Sequence, residues 1–236
     1  MLVRLAREGV RVVLLVVSDG SAGAGQQGNL PRPELSLSVA ELVATRQAEA
    51  RCAAKTIGAE PPIFLDFPDG RLGDYIGDRS LIGRLAVRIA EELEHLRPDA
   101  VITWGPDGGT GHPDHRIVSA VVTQLQRAGA PGVPERLFYM TVPTELMRAV
   151  SPQGNAPPFL LPRAAYFTIR VAFSVDDFAT AKRAWLCHRT QFTPEVVERF
   201  AAATAPIWNG AISLVPAFDA SAEADVFGDA TPSRSR

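Results

Sequence analysis

Residues 100–115, AVITWGPDGGTGHPDH, carry the signals that decide the fold class. The apolar run at 100–104 predicts a buried strand. A glycine-rich segment at 105–114 follows its carboxyl end, and a helix is predicted at about 115–128. Strand, loop and helix in this order form the repeating unit of α/β folds.

The same alternation precedes this segment. The run VRVVLLVVSDG at 10–20 predicts a strand at 10–17, buried on both faces, and the residues before it resemble the end of a helix stopped by Gly9. A Gly/Gln/Pro loop is predicted at 20–37, and a helix follows that begins at the capping box of Ser38 and Glu41 and ends at Ile57 and Gly58. A strand is predicted at 63–67, and a helix with one apolar stripe at 80–97.

The alternation also continues downstream. Predicted elements are a strand at 136–142, a Pro-rich loop at 151–163, a strand at 166–173, a helix at 175–191, a helix starting at Thr193-Pro194 and a strand at 211–218. Together they predict a Rossmann-like, mostly parallel, doubly wound sheet with helices on both faces. Residues 1–219 are interpreted as one domain, and 220–236 as a disordered tail.

Composition excludes several classes of protein. The formal net charge is −2, so no nucleic-acid partner is expected, and no apolar run approaches the roughly 20 residues that cross a membrane. Charged residues interrupt the N-terminal region, which does not read as a signal peptide. Cys52 and Cys187 stand far apart without a CxxC pattern, so neither a disulfide nor a cysteine zinc site is expected. A reducing cytoplasm is the predicted location.

The candidate chemical site is the GHPDH stretch at 111–115. It holds three ionisable side chains, those of His112, Asp114 and His115, within four residues. Imidazole is a common zinc ligand, and a nearby carboxylate often orients it. The plain alternative is a loop with an aspartate helix cap and two exposed histidines. Ligands bind at the carboxyl ends of the strands in such sheets. The loops expected at that edge are 18–25, 66–70 and 105–115.

GHPDH after a strand ending in Trp and a Gly-rich turn resembles the second signature of the LmbE/PIG-L family of zinc-dependent N-deacetylases. Other stretches resemble the same family in the same order over about residues 1–192. They are Glu8-Gly9 with VRVVLLVVSDG for its helix end and second strand, Arg46 and Glu49 for its R-x-x-E, FLDFPDGRL at 64–72 for its third-strand turn, and Lys182 with HRTQ at 188–191 for its late K…H-x-[ST]-Q helix.

The resemblance implies roles for five residues. His115 would be a zinc ligand, and His112 would stabilise the oxyanion or donate a proton to the leaving amine. Asp114 would hydrogen-bond and tune a neighbouring histidine. Arg46 and Asp69 would contact polar groups of the substrate, such as sugar hydroxyls or phosphate.

Asp19, Glu49 and His188 are weaker candidates, and each has a plainer reading. Glu49 could form a solvated ion pair with Arg46 on one helix face. Asp19, like Asp69 before Gly70, could be an ordinary turn residue. His188 on an amphipathic helix could be structural.

The implied reaction is hydrolysis of the acetamide of a small amino-sugar conjugate such as an N-acetylglucosamine derivative, in which zinc activates water and polarises the amide. The family's first signature, a strand followed by [P/A]-H-P-D-D-E, is absent from this sequence. It supplies the other two of the three expected protein ligands, and also the general base. We therefore expect the first strand to be missing, and the 236-residue chain to be poorly folded and inactive. A start codon assigned too far downstream and a degenerate protein both explain this absence.

Three other readings are open. A dinucleotide-binding module is suggested by Gly20, Gly23 and Gly25, but Pro31 and Pro33 follow where a helix should start. A metallo-β-lactamase-like hydrolase needs a histidine where Thr110 stands. A non-catalytic sugar-binding or structural remnant of the deacetylase fold is the alternative outside enzymes.

Overall fold

The computed structural model describes residues 1–23, 37–76, 79–141 and 167–218. Strands and helices alternate along these ranges, as predicted. The strands are β1 (Leu15–Ser18), β2 (Ile63–Phe67), β3 (Val101–Trp104), β4 (Leu137–Met140), β5 (Ile169–Ala172) and β6 (Ala211–Pro216). The helices of more than one turn are α1 (Leu2–Arg7), α2 (Val39–Ile57), α3 (Arg79–Leu96), α4 (Pro113–Arg127), α5 (Val175–Trp185) and α6 (Pro194–Trp208).

The strands pair in two groups. β1 and β2 form a parallel pair, and a second sheet has the order β3-β4-β6-β5. β3 and β4 are parallel, whereas β6 is antiparallel to both of its neighbours. The helices also fall into two groups, because α2 packs on α1 and α5 while α3 packs on α4. The molecule is therefore an α/β fold. In its second sheet, β6 lies between β4 and β5 and runs antiparallel to both.

The first predicted strand is shorter than its apolar run. Residues 10–14 are not in a strand, and Val10 is 49% exposed. Within the described ranges β1 pairs only with β2, and β3 only with β4. All four residues of each strand are half-buried rather than buried. The prediction of burial on both faces was therefore wrong for 10–17, and the strand at 100–104 is less buried than predicted.

Local signals place the helix ends. The capping box of Ser38 and Glu41 begins α2, and Gly58 ends it with a φ of 82°. The predicted helix at 175–191 stops earlier, since α5 ends at Trp185 and tight turns occupy the residues after it. His188 therefore lies in a turn, and its predicted position on a helix was wrong.

The main core lies between α3, α4 and the strands. The apolar stripe predicted on α3 is buried, with Leu85 and Ile89 at 0% and 1% exposure. These side chains pack with Val121 of α4 and Leu137 of β4. This core fixes the start of α4, the segment that carries GHPDH, against the ends of β2 and β3.

A disulfide joins Cys52 of α2 to Cys187 in the turn after α5, so the prediction of unlinked cysteines was wrong. The sequence hides the pairing because 135 residues separate the two positions, and only the packing of α2 against α5 brings them together. The cytoplasmic location stays a prediction. The expected absence of a disulfide no longer supports it, because Cys52 and Cys187 are linked.

None of the helices in the described ranges is long and apolar enough to cross a membrane. Three predicted features lie wholly or mainly outside those ranges, and they stay predictions. They are the loop at 20–37, the Pro-rich loop at 151–163 and the tail at 220–236.

Candidate active site

His112 is the N-cap of α4 and Pro113 is its first residue. Proline suits this position because its fixed φ fits a helix start and its missing N–H would have no partner there. The Nδ1 atom of His112 accepts a hydrogen bond of 3.2 Å from the backbone N–H of Asp114. Nδ1 therefore carries no hydrogen, and in the neutral ring the hydrogen is on Nε2. His112 can thus act as a hydrogen-bond donor through Nε2.

His115, one turn further on, has the opposite arrangement. Its Nδ1 lies 3.0 Å from the carbonyl oxygen of Gly108, which can only accept. The hydrogen is therefore on Nδ1, and Nε2 keeps its lone pair for a metal ion or a proton. Burial lowers the pKa of His115, and the hydrogen bond to Gly108 opposes that shift. The neutral ring is the form this environment favours.

Aromatic contacts fix the plane of the His115 ring. The indole of Trp104, the last residue of β3, stacks on it with ring centres 4.6 Å apart and planes 10° apart. The ring of His112 lies 4.8 Å from it at 36°. His115 therefore contacts two rings at the carboxyl end of β3, which is where α/β folds bind ligands.

The glycine-rich turn between β3 and α4 makes this approach possible. Gly109 has a φ of +69°, and a Cβ atom there would lie 2.4 Å from the indole of Trp104. Asp107 holds the turn, because its Oδ1 accepts hydrogen bonds from the backbone of Gly109 and the hydroxyl of Thr141. Glycine is thus required at 109 by both conformation and space.

Asp114 anchors a neighbouring loop. Its carboxylate is 4% exposed and accepts hydrogen bonds from the backbone N–H groups of Gly70, at 2.7 Å, and Leu72, at 3.1 Å. The carboxylate hydrogen bonds thus go to the loop after β2, while the backbone of Asp114 contacts His112. Its charge still acts on His115 by raising the pKa of that ring.

The loop after β2 brings Asp69 to the same edge. Asp69 Oδ1 accepts a hydrogen bond of 3.1 Å from Ser18 Oγ, and its Oδ2 lies 4.0 Å from a guanidinium nitrogen of Arg46. The Arg46 and Asp69 side chains are only 14% and 18% exposed. The charge of Asp69 also raises the pKa of His115, so the two residues are electrostatic neighbours.

Asp19 and Arg46 shape the loop after β1. Asp19 Oδ1 accepts hydrogen bonds from the backbone N–H groups of Ser21 and Asp69. Arg46 donates to the carbonyl of Gly20 at 2.7 Å. Asp19 therefore holds the backbone of Asp69 through a turn hydrogen bond, and its role in the site stays a prediction. Ser18, next to it, contacts Asp69 and was not predicted, although its position before Asp19 at a strand end was a usable signal.

Glu49 and Arg46 are both electrostatic neighbours of His188. Glu49 is 7% exposed and accepts hydrogen bonds of 2.7 Å from both the backbone and the hydroxyl of Thr190. It is thus buried and bonded to Thr190, which excludes the solvated ion pair considered from the sequence. Burial lowers the pKa of His188, while the charge of Glu49 raises it and that of Arg46 lowers it further. Thr190 stands in the HRTQ stretch that resembles the family motif, but its contact with Glu49 was not predicted, because 141 residues separate the two.

The described residues do not complete a zinc site. Across those ranges, no group of three or more His, Cys, Asp and Glu side chains is arranged to hold a metal ion. A catalytic zinc site has three protein ligands and an open position. His115 offers one nitrogen that suits a ligand, whereas the Nδ1 of His112 is engaged and its Nε2 carries hydrogen in the neutral ring.

These features define an α/β protein with a histidine–carboxylate site where its strands end. Residues 1–126 match the family model described as "PIG-L: GlcNAc-PI de-N-acetylase". Because the match covers more than half of the 236 residues, the chain belongs to the PIG-L family, as the GHPDH motif predicted.

Two relatives carry the name 1D-myo-inositol 2-acetamido-2-deoxy-alpha-D-glucopyranoside deacetylase. The protein of Kineococcus radiotolerans is 34% identical over 151 residues, which cover 55% of this chain and 40% of that protein. The protein of Geodermatophilus obscurus is 28% identical over 229 residues, which cover 80% of this chain and 76% of that protein. The similarity to the first relative thus spans less than half of its length.

The fold is also similar to that of N,N'-diacetylchitobiose deacetylase from Pyrococcus horikoshii. The TM-score is 0.62 at 17% sequence identity, and the match covers 91% of this chain and 76% of that one. At this identity the likeness concerns the fold alone.

Proposed function

We propose that this chain supplies part of a zinc-dependent hydrolase site, namely a histidine for the oxyanion and one zinc ligand. The complete site would remove an N-acetyl group from a small amino-sugar conjugate. One observation carries the proposal: His112 and His115, three residues apart, hold their hydrogens on different nitrogens. One ring is a donor and the other a lone-pair ligand. Amide hydrolysis needs both kinds of ring. A hydrogen-bond donor stabilises the carbonyl oxygen as it becomes negatively charged, and a metal ligand holds the ion that binds the attacking water.

His112 would act on the reacting amide. Its Nε2–H would donate to the oxygen that becomes negative in the tetrahedral intermediate. The hydrogen bond from the Asp114 N–H to Nδ1 disfavours a doubly protonated ring, so the leaving amine would take its proton from the general base, which first removes that proton from the attacking water. Asp114 and the N-terminus of α4 keep this ring in place through the backbone hydrogen bond to Nδ1.

His115 would hold a zinc ion through Nε2, and bound zinc supplies a Lewis acid and an activated water for such hydrolyses. The other ligands and the general base would have to come from outside the described residues, because those ranges contain no three-ligand cluster. The described residues alone are therefore not expected to hold a catalytic zinc ion.

Arg46 and Asp69 would bind the sugar. They form a largely buried pair of opposite charge, and Asp69 is an electrostatic neighbour of His115. A guanidinium and a carboxylate together offer donors and acceptors for neighbouring sugar hydroxyls. The relatives' names suggest 1D-myo-inositol 2-acetamido-2-deoxy-alpha-D-glucopyranoside as the first substrate to test.

The test is a comparison of the chain with a version extended at its N-terminus by the strand and His-Pro-Asp-Asp-Glu motif of a relative. Release of free amine from that substrate would be measured with zinc present. We expect turnover by the extended protein, none by the 236-residue chain, and none by the extended protein carrying His115→Ala. No turnover by a folded, zinc-loaded extended protein would contradict the proposal.

A non-catalytic sugar-binding remnant is the second candidate, favoured by the absence of a three-ligand cluster from the described residues. It predicts that the chain binds the sugar equally well with zinc and with a chelator. It also predicts that Asp69→Asn weakens binding while His115→Ala does not. Calorimetric titration of both variants separates the two candidates.

A further inference from the structure

Trp104 has no role in the reaction proposed above, yet it makes the closest ring contact to His115. The two rings are nearly parallel, at 10°, with centres 4.6 Å apart. Trp104 ends β3, which pairs with β4 along its whole length, so the indole is carried by a hydrogen-bonded strand rather than by a loop. Its position is therefore fixed by the sheet.

The turn that follows is built around this indole. A Cβ atom at Gly109 would meet two carbons of the indole, at 2.4 and 2.5 Å. No side chain fits in that space unless the indole moves. Gly108, which precedes it, supplies the carbonyl oxygen that binds Nδ1 of His115. The same turn thus makes room for Trp104 and selects the hydrogen position on His115.

Three contacts hold the His115 ring in the described residues. Trp104 and His112 lie against the ring, and Gly108 binds Nδ1. A single hydrogen bond would leave the ring free to tilt about the line that joins its two atoms. A parallel indole prevents that tilt, because rotation would drive the imidazole edge into the indole face.

We propose that Trp104 is a positioning residue that holds the His115 ring in the plane where Nδ1–H meets the carbonyl oxygen of Gly108 and Nε2 keeps its lone pair. The importance of Nε2 rests on the proposed function. The positioning itself is a property of the chain without metal, so the two can fail separately.

The experiment measures the hydrogen position directly. Long-range ¹H–¹⁵N NMR correlations at pH 8 report which nitrogen of a neutral histidine carries hydrogen. The 236-residue chain is compared with Trp104→Leu, which removes the flat face, and with Trp104→Phe, which keeps one. Trp185→Leu is the matched control, because Trp185 packs in a separate aromatic cluster with Phe178 and Phe200.

We expect the wild-type chain and Trp104→Phe to keep His115 almost wholly in the Nδ1–H form. In Trp104→Leu that fraction should fall to about a half, because the ring can then turn away from Gly108. Trp185→Leu, which loses an indole that is half-buried like that of Trp104, should leave His115 unchanged. If Trp104→Leu does not fold, Trp104→Met, which fills more of the space, is measured in its place.

An unchanged Nδ1–H fraction in a folded Trp104→Leu or Trp104→Met variant would overturn the inference. An equal fall in Trp185→Leu would also overturn it, because the effect would then reflect general destabilisation. If Trp104→Phe keeps the Nδ1–H fraction of His115 that Trp104→Leu loses, the flat ring face rather than the side-chain volume holds the imidazole. Deacetylation is not measured, so failure of the proposed function leaves this result standing.

Discussion

Asp114 shows how one residue of GHPDH joins two parts of the site. Its carboxylate binds two backbone N–H groups of the loop after β2, and its own backbone binds the ring of His112. The loop that carries Asp69 is thereby tied to the helix start that carries both histidines. The contacts of Asp114 thus connect two segments of the backbone, and its carboxylate is engaged by hydrogen bonds.

Asp114→Asn should therefore destabilise the fold. Asparagine has one acceptor oxygen and an NH₂ group, so one of the N–H groups of Gly70 and Leu72 would lose its partner. The loss of a buried partner costs about 1–3 kcal/mol. Urea unfolding measures the change, with Asp99→Asn on the surface as the control. Equal stability of the two variants would show that the Asp114 hydrogen bonds are not maintained in solution.

At the scale of elements, three successive contacts along α2 bind the turn after α5. Glu49 accepts from Thr190, Cys52 forms the disulfide, and Thr56 contacts the sulfur of Cys187. These positions are spaced by three and four residues, so they lie on one helix face. This face fixes the turn in which His188 approaches Arg46.

Removing the disulfide should weaken this connection. Cys52→Ser with Cys187→Ser is expected to lower the free energy of unfolding by about 2–4 kcal/mol, because the cross-link restricts the unfolded chain. Urea unfolding with and without reductant measures this, and the double variant should not respond to reductant. Mass spectrometry after alkylation under native conditions should find no free thiol. Two alkylated cysteines in unreduced protein would contradict the pairing.

A second connection between elements depends on pH. Arg7 of α1 donates two hydrogen bonds to Asp177 at the start of α5. These bonds, together with smaller contributions from the hydrogen bonds with Ser174, lower the pKa of Asp177 to about 2 from an ordinary 3.8. A carboxyl group whose pKa is lowered by folding stabilises the fold at every pH above the pKa that the group has in the unfolded chain. That stabilisation is lost as the pH falls from about 4 towards 2.

Asp177→Asn should therefore cost about 2 kcal/mol at pH 7 and little near pH 2. Urea unfolding across this pH range measures the difference between the variant and the wild type. Asp176→Asn, which changes an exposed neighbour, is the control and should follow the wild-type curve. A cost for Asp177→Asn that stays constant down to pH 2 would mean that Arg7 and Asp177 do not form the pair.

For the whole molecule, the sequence was most informative where signals were local. The apolar stripe of α3, the caps of α2 and the strand–loop–helix order around GHPDH each depend on neighbouring residues, and the structure confirms them. The family is confirmed for the same reason, since its motif is contiguous.

Features that depend on distant contacts could not be predicted. The Cys52–Cys187 bond and the Glu49–Thr190 pair join positions 135 and 141 residues apart. The apolar run at 10–17 gave no warning that β1 would begin only at Leu15, because strand length depends on a partner and not only on composition. The antiparallel direction of β6 was likewise set by packing.

The two histidines offer the most direct test of the account. Long-range ¹H–¹⁵N NMR of the wild-type chain at pH 8 would assign the hydrogen on each ring. The account predicts hydrogen on Nε2 of His112 and on Nδ1 of His115, because a backbone N–H and a backbone carbonyl respectively face their Nδ1 atoms. The same form on both rings would contradict the division into one donor and one ligand on which the proposed function rests.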